Sequence, residues 1–436
     1  MTDATDRRRY DLVVVGAGAA GLMASIAAGR ESHGRLRIAA LDGAKKLGAK
    51  ILVAGGGRCN VTHDVVKPED YAGASRPAIN KVLKAFTVEQ TVTFFRELNV
   101  HLKREETGKL FPTTDSARTV LDALIGATKQ AGVDICTETR VLSIKQQMRG
   151  FEIDTSAGCF EAGHVVIATG GKSLPKTGSD GKGYELVSAL GHTIDPTWPA
   201  LVPLVLPESH WLTTLSGLAV EAELRVHAGN GRILHREHGP CLFTHFGLSG
   251  PIPMNLSRHL TQARQDDAAA SMTLNLLDGA SFEDADRRLR QAITSDAGST
   301  ILTMLRRNLP DSLARAIIAH VLACDPRRVM AQLTKETRHL LIRTLTELPI
   351  PVVRDRGYLF AEVTAGGVPL SEVHLKSMAS KVCDSLSLCG EILNVDGRIG
   401  GYNFQWAWAS GHLAGQHAAR SLLEPSLAAP VNRDAV

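Results

Sequence analysis

Three things are scarce in this sequence, and each scarcity removes a class of protein. Charge of one sign is the first: 49 Lys/Arg stand against 45 Asp/Glu, a formal net charge of +4 over 436 residues. So mild an excess does not announce nucleic-acid binding, although it leaves it open. Ordered cysteines are the second. The seven cysteines are odd in number and irregular in spacing, and Cys383 and Cys389 stand too far apart for a C-x-x-C redox pair. No disulfide framework is expected, and a reducing cytoplasm is the expected setting. Long uncharged runs are the third. Leu12–Gly29 alone reaches transmembrane length, and it is broken by glycines placed as a phosphate loop needs them. "TDATDRRRYD" ahead of it mixes acids with bases and precedes no small-residue cleavage site. Neither a membrane span nor a signal peptide is expected.

What is plentiful is glycine. The forty glycines gather in short runs, which points to ligand loops. The length suggests two or three domains.

"YDLVVVGAGAAGLMASIAAGR" reads strand, turn, helix. Gly16 permits the tight turn, Gly18 lets a pyrophosphate approach the backbone, and Gly21 lets helix and strand pack closely. Ala19 and Ala20 lie in the same turn, at a helix N-terminus whose free N–H groups favour an anion. "RLRIAALD" reads as a second strand ending in Asp42, where a carboxylate accepts hydrogen bonds from a ribose. The pair of signals predicts an adenine dinucleotide site.

A simple NAD dehydrogenase would continue with further βαβ units. Here "GAKKLGAKILVAGGGRCN" leads to another glycine cluster instead. One helical stretch ("INKVLKAFTVEQTVTFFREL"), a hairpin ("VHLKREETGKLFPT"), another helix and short strands follow. The chain resembles the HI0933-like (YhiN/BaiN-like) flavoproteins, relatives of glutathione reductase with two dinucleotide-binding domains. Its marks are "GAGAAG", "GGGRCN", "GKLFP", "ATGG" followed by "GSDGKGY", "FTHFGLSGP", "TAGGV" and "CGEILNVDGRIGGYNFQWAWASG". Ala54, His63 and Asn394 depart from the family's usual Ser, Asn and Asp.

The resemblance implies FAD. On that reading Gly55, Gly56 and Gly57 let the isoalloxazine lie against backbone, and Asn60 either hydrogen-bonds the ring edge or only shapes the loop. Arg58 offsets charge on reduced flavin, or else only shapes the loop. Ala168, Thr169, Gly170 and Gly171 form the strand-end turn that passes the dinucleotide. Gly390, Gly400, Gly401, Tyr402 and Asn403 are expected near the flavin, with Tyr402 available to stack, and Glu391 near the ribityl or phosphate region. Trp406 and Trp408 are expected as core packing.

Two residues are candidates for catalysis. Cys59, beside the flavin, either supplies a proton or fills the core. His245 either orients substrate and relays a proton or bonds to backbone. Ser249 is no hydrolase nucleophile, because "GLSGP" lacks the last glycine of G-x-S-x-G. His235, His238, Cys241 and His245 have ligand-like types, but a strand pair would scatter them over both faces, so no metal is expected.

The expected fold is α/β. A Rossmann-like FAD-binding domain of the glutathione-reductase type (1–198 and 353–425) is interrupted by a β-rich, barrel-like domain (199–280) with a helical subdomain (281–352), and a tail follows at 426–436. The segment 281–356 carries 13 Lys/Arg against 9 Asp/Glu, expected as a solvated helix face. No second G-x-G-x-x-G exists, so NAD(P)H is expected only as a transient donor. The expected activity is an FAD-dependent reductase of a carbonyl-conjugated C=C bond, in a small enone or in uridine of RNA. A flavin amine oxidase and a non-catalytic redox module are the alternatives.

Overall fold

The structure is a computed structural model in which residues 7–424 are described; the tail expected at 426–436 lies outside them. The chain divides into two units, Met1–Thr197 with Val363–Val436, and Trp198–Glu362.

The first unit is built on a parallel sheet. Strand β1 (Arg7–Val15) lies between β2 (Ile38–Leu41) and β4 (Gly158–Ile167), and β3 (Val133–Cys136) follows β2. On the far side of β4 runs β5 (Leu386–Leu388), also parallel. A parallel sheet is covered on both faces, so its strands need continuous apolar runs. Leu12, Val13 and Val14 are fully buried, and so are Val165, Val166 and Ile167. Helix α1 (Ala19–Ser32) follows β1 directly, and α2 (Tyr402–Leu423) packs along it. A Cβ on Gly21 would stand 1.8 Å from the Gly16 carbonyl oxygen, so only glycine lets α1 start this close to the turn.

The helical stretch predicted as one is two helices, Arg76–Ala85 and Val88–Glu97. The break is a capping box. Thr87 Oγ1 accepts from Gln90 N (3.3 Å), and Thr87 N donates to Gln90 Oε1 (2.8 Å).

The second unit holds a seven-stranded sheet whose order begins at Leu348–Pro349 and ends at Arg354–Asp355. Its two longest strands, Ala219–His227 and Ile233–Thr244, pair antiparallel, the former burying every second side chain. The helices of 281–352 share one core with this sheet: Ile301, Leu313, Ile317 and Leu341 cluster with Leu224, Phe243 and Leu274. The expected return to the first domain at 353 falls later. Arg354 and Asp355 pair with Val205 and Leu204 as an edge strand of the second sheet, which holds the chain in that unit to Glu362.

Candidate cofactor and active site

The first unit gathers its glycine loops at one end of the parallel sheet. Gly16 follows β1 at φ +97°, and a Cβ there would lie 2.5 Å from the Ala168 carbonyl oxygen beyond β4. Gly18 caps α1 with no side-chain hydrogen bond to the helix, and the space where its side chain would stand is open. The first N–H groups of α1 therefore face an open position, as a phosphate requires. Asp42 closes the turn: its carboxylate accepts from Ala17 N and Ala44 N, both at 2.8 Å. Each oxygen keeps a further acceptor site for a ribose hydroxyl.

The "AGGGRCN" loop takes its shape from three successive left-handed residues, Gly55, Gly56 and Gly57 at φ +56°, +67° and +86°. L-residues resist this conformation. Cys59 adopts it too, at φ +60°. Asn60 is 7% exposed, and its Oδ1 has no partner. The Thr169 hydroxyl in the "ATGG" turn is buried and equally unpartnered. Buried polar atoms without partners are costly, and a polar ligand that reached them would satisfy both.

Helix α2 holds the loops in register. Trp408 Nε1 donates to the Val61 carbonyl (2.9 Å), just past the triple-glycine loop, and Trp406 Nε1 donates to the Gly390 carbonyl (3.2 Å). Both tryptophans are buried. Just ahead of them in the chain, Gln405 Oε1 accepts from Thr62 and Thr91, while its Nε2 donates to the Phe86 carbonyl. Asn403 clamps its own loop in both directions, accepting from Gly397 N (2.8 Å) and donating to Gly397 O (2.9 Å). Gly401 caps α2, and a Cβ on it would strike the Thr62 backbone at 2.6 Å. Gly400 lies alongside Tyr402 and His63. The Tyr402 ring stacks on His63, with centroids 5.0 Å apart, and His63 Nε2 donates to the Thr107 carbonyl (2.9 Å).

Glu391 is the hub of a polar knot. It accepts from Lys50 Nζ (2.5 Å), Ser173 Oγ (2.9 Å) and Thr364 N (2.9 Å), and Lys50 also reaches Ser173 Oγ (2.7 Å). A Cβ on Gly171 would press on Thr364 and Glu391, and one on Gly170 would meet the Ser179 hydroxyl. Lys50, Ser173, Thr364 and Gln405 escaped the sequence reading. Three of the four stand within or beside quoted motifs, but nothing in their spacing announces their partners.

A model of the HI0933-like protein Rossmann domain matches residues 10–417. The chain belongs to the HI0933-like family. Membership makes this chain an FAD-dependent oxidoreductase, and the open helix N-terminus with the unpartnered Asn60 and Thr169 atoms fits that cofactor. A 3-dehydro-bile acid delta(4,6)-reductase of Clostridium scindens is 32% identical over 93% of this chain and 98% of the relative. A ribosomal RNA dihydrouridine synthase of Escherichia coli is also 32% identical, over 92% of this chain and 96% of that one. Among solved structures, a quinol–fumarate reductase with menaquinol molecules is similar in fold. It aligns at TM-score 0.50 and 17% identity over 95% of this chain and 72% of that one.

Two departures from the family pattern have local explanations. Asn394 Nδ2 donates to Asp195 Oδ2 at 2.6 Å, where the family's aspartate would set two carboxylates against each other. His63 supplies the ring that stacks on Tyr402. Nothing in the structure explains Ala54.

The candidate catalytic residues differ sharply in setting. The Cys59 thiol is fully buried in the core cluster, and burial pushes its pKa up to about 12. This favours the packing reading. Arg58 has its charge already met: it bonds Glu105 (2.6 Å), lies 3.6 Å from Asp115 and covers the Phe111 ring at 4.0 Å. That favours loop shaping over charge compensation. His245 belongs to the second unit, exposed, with its ring edge-on to Phe246 at 5.1 Å. His238 contacts Asp278 (2.8 Å), and among the described residues no group of three or more His, Cys, Asp or Glu gathers as a metal site. Nor is any described helix long and apolar enough to cross a membrane.

Proposed function

We propose that this protein reduces a C=C bond conjugated to a carbonyl, with electrons from NAD(P)H bound transiently and FAD as the resident cofactor. The observation that carries this is the near full-length likeness to two relatives whose named reactions share one chemistry. A 3-keto steroid with unsaturation at C4 and the C5=C6 bond of uridine are both conjugated to a carbonyl. Each takes a hydride at the carbon remote from the carbonyl and a proton at the near one, two electrons in all. FAD supplies the hydride when bound.

The protein's own contribution is placement. The α1 N-terminus and Asp42 hold the adenine dinucleotide end. Gly55–Gly57, Asn60, Gly400 and Gly401 offer backbone and one amide to the flavin ring, and Glu391 with Lys50 braces the ribityl side. His245 is the residue we propose for delivering the proton, from an exposed imidazole nitrogen. Cys59 packs beneath the loop.

The test is an anaerobic titration of the FAD-loaded protein with NADPH and then NADH, following the visible flavin band. Acceptors are then offered: 4-androstene-3,17-dione, or uridine-containing RNA. Bleaching followed by reoxidation with either acceptor supports the reading, and the acceptor used names the substrate class. Activity on RNA should fall steeply as salt rises; activity on the steroid should not. A flavin that resists both nucleotides and instead releases peroxide with amines would replace this reading with an amine oxidase.

A further inference from the structure

Hydride transfer leaves a flavin with two more electrons and one more proton, and so with one negative charge. A cation nearby lowers the energy of that reduced form. Arg58, in the triple-glycine loop, is already committed to Glu105 and lies 3.6 Å from Asp115. The loop runs on into a three-stranded sheet of the same unit, ordered Thr62–His63, Lys109–Pro112, Leu102–Arg104. There Lys103 pairs with Asp115, and Arg104 with Asp64. Lys109 pairs with no carboxylate among the described residues. That lack alone decides nothing, because Lys81, Lys84 and Lys129 share it. Those three are exposed, whereas Lys109 is half-buried, and its position sets it apart.

The fold fixes that position from two sides. On one, a turn closes the hairpin: Gly108 N donates to the Glu105 carbonyl and Glu105 N to the Lys109 carbonyl, both at 2.9 Å. Lys109 is thereby set opposite His63, and Asp64 N donates to the Gly108 carbonyl (2.8 Å). On the other side comes the turn ahead of α2. Gly401 abuts the Thr62 backbone, and a Cβ on Gly400 would stand 3.6 Å from Lys109 Cε and 3.7 Å from His63 Cδ2. The lysine chain therefore lies along Gly400. The His63 ring is occupied by Tyr402, Asp64 and the Thr107 carbonyl, which leaves the lysine as the uncommitted charge. Helix α2 begins here with no side-chain cap and no acidic residue in its first turn, so its positive end adds to the same field. Asn60, with its buried and unpartnered Oδ1, stands two residues ahead of Thr62.

We propose that the Lys109 ammonium is the charge partner of the reduced flavin ring. This rests on the placement of Gly400 and Gly401 along that ring in the reading above, and on no choice of electron donor or acceptor. The backbone contacts hold the cofactor in both of its states. Lys109 acts on one state alone, because only the reduced ring carries the charge. A carboxylate beside the ammonium would cancel its field, as Glu105 and Asp115 do for Arg58. A half-buried setting also screens the attraction less than open water does. The ammonium therefore raises the reduction potential of the flavin and eases its reduction by NAD(P)H.

The test uses the FAD-loaded full chain as wild type and as Lys109→Gln, Lys109→Arg and Lys103→Gln. The readout is the flavin reduction potential, taken anaerobically by dithionite titration against a reference dye, so neither NAD(P)H nor an acceptor is needed. Lys109→Gln should bind FAD as wild type does, with its reduction equilibrium moved about tenfold toward oxidised flavin. For a two-electron couple that is a potential about 30 mV lower. Lys109→Arg should keep most of the wild-type potential. Lys103→Gln removes a charge already paired on the same hairpin and should match wild type. An unchanged potential in Lys109→Gln overturns the proposal and leaves the reductase reading standing. Equal falls in Lys109→Gln and Lys103→Gln would trace to a disturbed hairpin and overturn it too, as would loss of FAD from Lys109→Gln. A lowered potential in Lys109→Gln, when wild type reduces neither 4-androstene-3,17-dione nor uridine-containing RNA, supports the charge partner and locates the failure in the reductase reading.

Discussion

In the Met1–Thr197/Val363–Val436 unit, recognition is made of backbone: an uncapped helix start, three left-handed glycines, and carbonyls held in place by two buried tryptophans. In the Trp198–Glu362 unit the one residue proposed for the chemistry acts through its side chain, the exposed His245 imidazole. The two materials suit different ligands. A backbone cradle accommodates a large resident cofactor through many small contacts and cannot be retuned by one substitution. A single side chain concentrates its effect in one group, which one substitution can remove. The comparison predicts that damage to the first unit removes cofactor and fold together, while damage to the second leaves a normal flavin that reacts poorly with its acceptor.

The largest expected effect lies in the backbone site. Gly21→Val sets carbon where the Gly16 carbonyl already stands, 1.8 Å from the Cβ position. Overpacking costs about 1–3 kcal/mol even in cores that adjust, and here the obstacle is backbone. The purified variant should lose its flavin absorbance and melt well below wild type. Retention of both would mean that α1 does not begin against the turn as described. Next comes Glu391→Gln, which leaves Lys50 without its carboxylate. At side-chain exposures of 28% for Lys50 and 18% for Glu391, the loss should be about 1–3 kcal/mol. FAD affinity, measured by fluorescence titration of the apoprotein, should weaken with it. Stability lost at unchanged FAD affinity would make the knot a brace for the "ATGG" turn alone.

These two positions also mark what the sequence discloses. Gly21 was legible because the close approach of helix to turn demands a residue without a side chain whatever the distant context. The alternation of Ala219–His227 was legible for a similar reason, since period-2 burial is a local property. Glu391 was legible as a position near the cofactor, but its partner Lys50 stands 341 residues away, and no local pattern encodes that pairing. Gln405 is hidden in the same way, a polar residue just ahead of two tryptophans, with its partners at Thr62, Phe86 and Thr91. The return to the first unit slipped from 353 to 363 because an edge strand of two residues carries no periodicity.

Cys59→Ser comes next, because it separates packing from proton delivery. The thiol lies in the core cluster without room for water, and a hydroxyl buried there without a partner costs about 1–3 kcal/mol. The variant should melt earlier while its reoxidation rate and pH profile stay as in wild type. A large fall in kcat at unchanged stability would return the proton-donor role to Cys59.

The smallest expected effect asks whether the two units share anything in acid. Each holds a histidine whose pKa desolvation lowers from 6.5 to about 3: the buried His164, hydrogen-bonded to Ser387, and the half-buried His259, stacked on His235 at 3.7 Å beside Arg258. A folded pKa below the unfolded one means that stability is fully present above pH 6.5 and is lost as pH falls toward 3. Between pH 7 and 5.5 each histidine should account for about 1 kcal/mol of that loss. Denaturant midpoints across this window should fall less steeply in His164→Asn and in His259→Asn than in wild type. If the units unfold independently, each variant should flatten only the transition of its own unit, the His164 variant the one that releases FAD and the His259 variant the one that does not. If both variants flatten one common transition, the backbone-built and side-chain-built units stand or fall together, and the division of labour between them is chemical rather than one of separate stability.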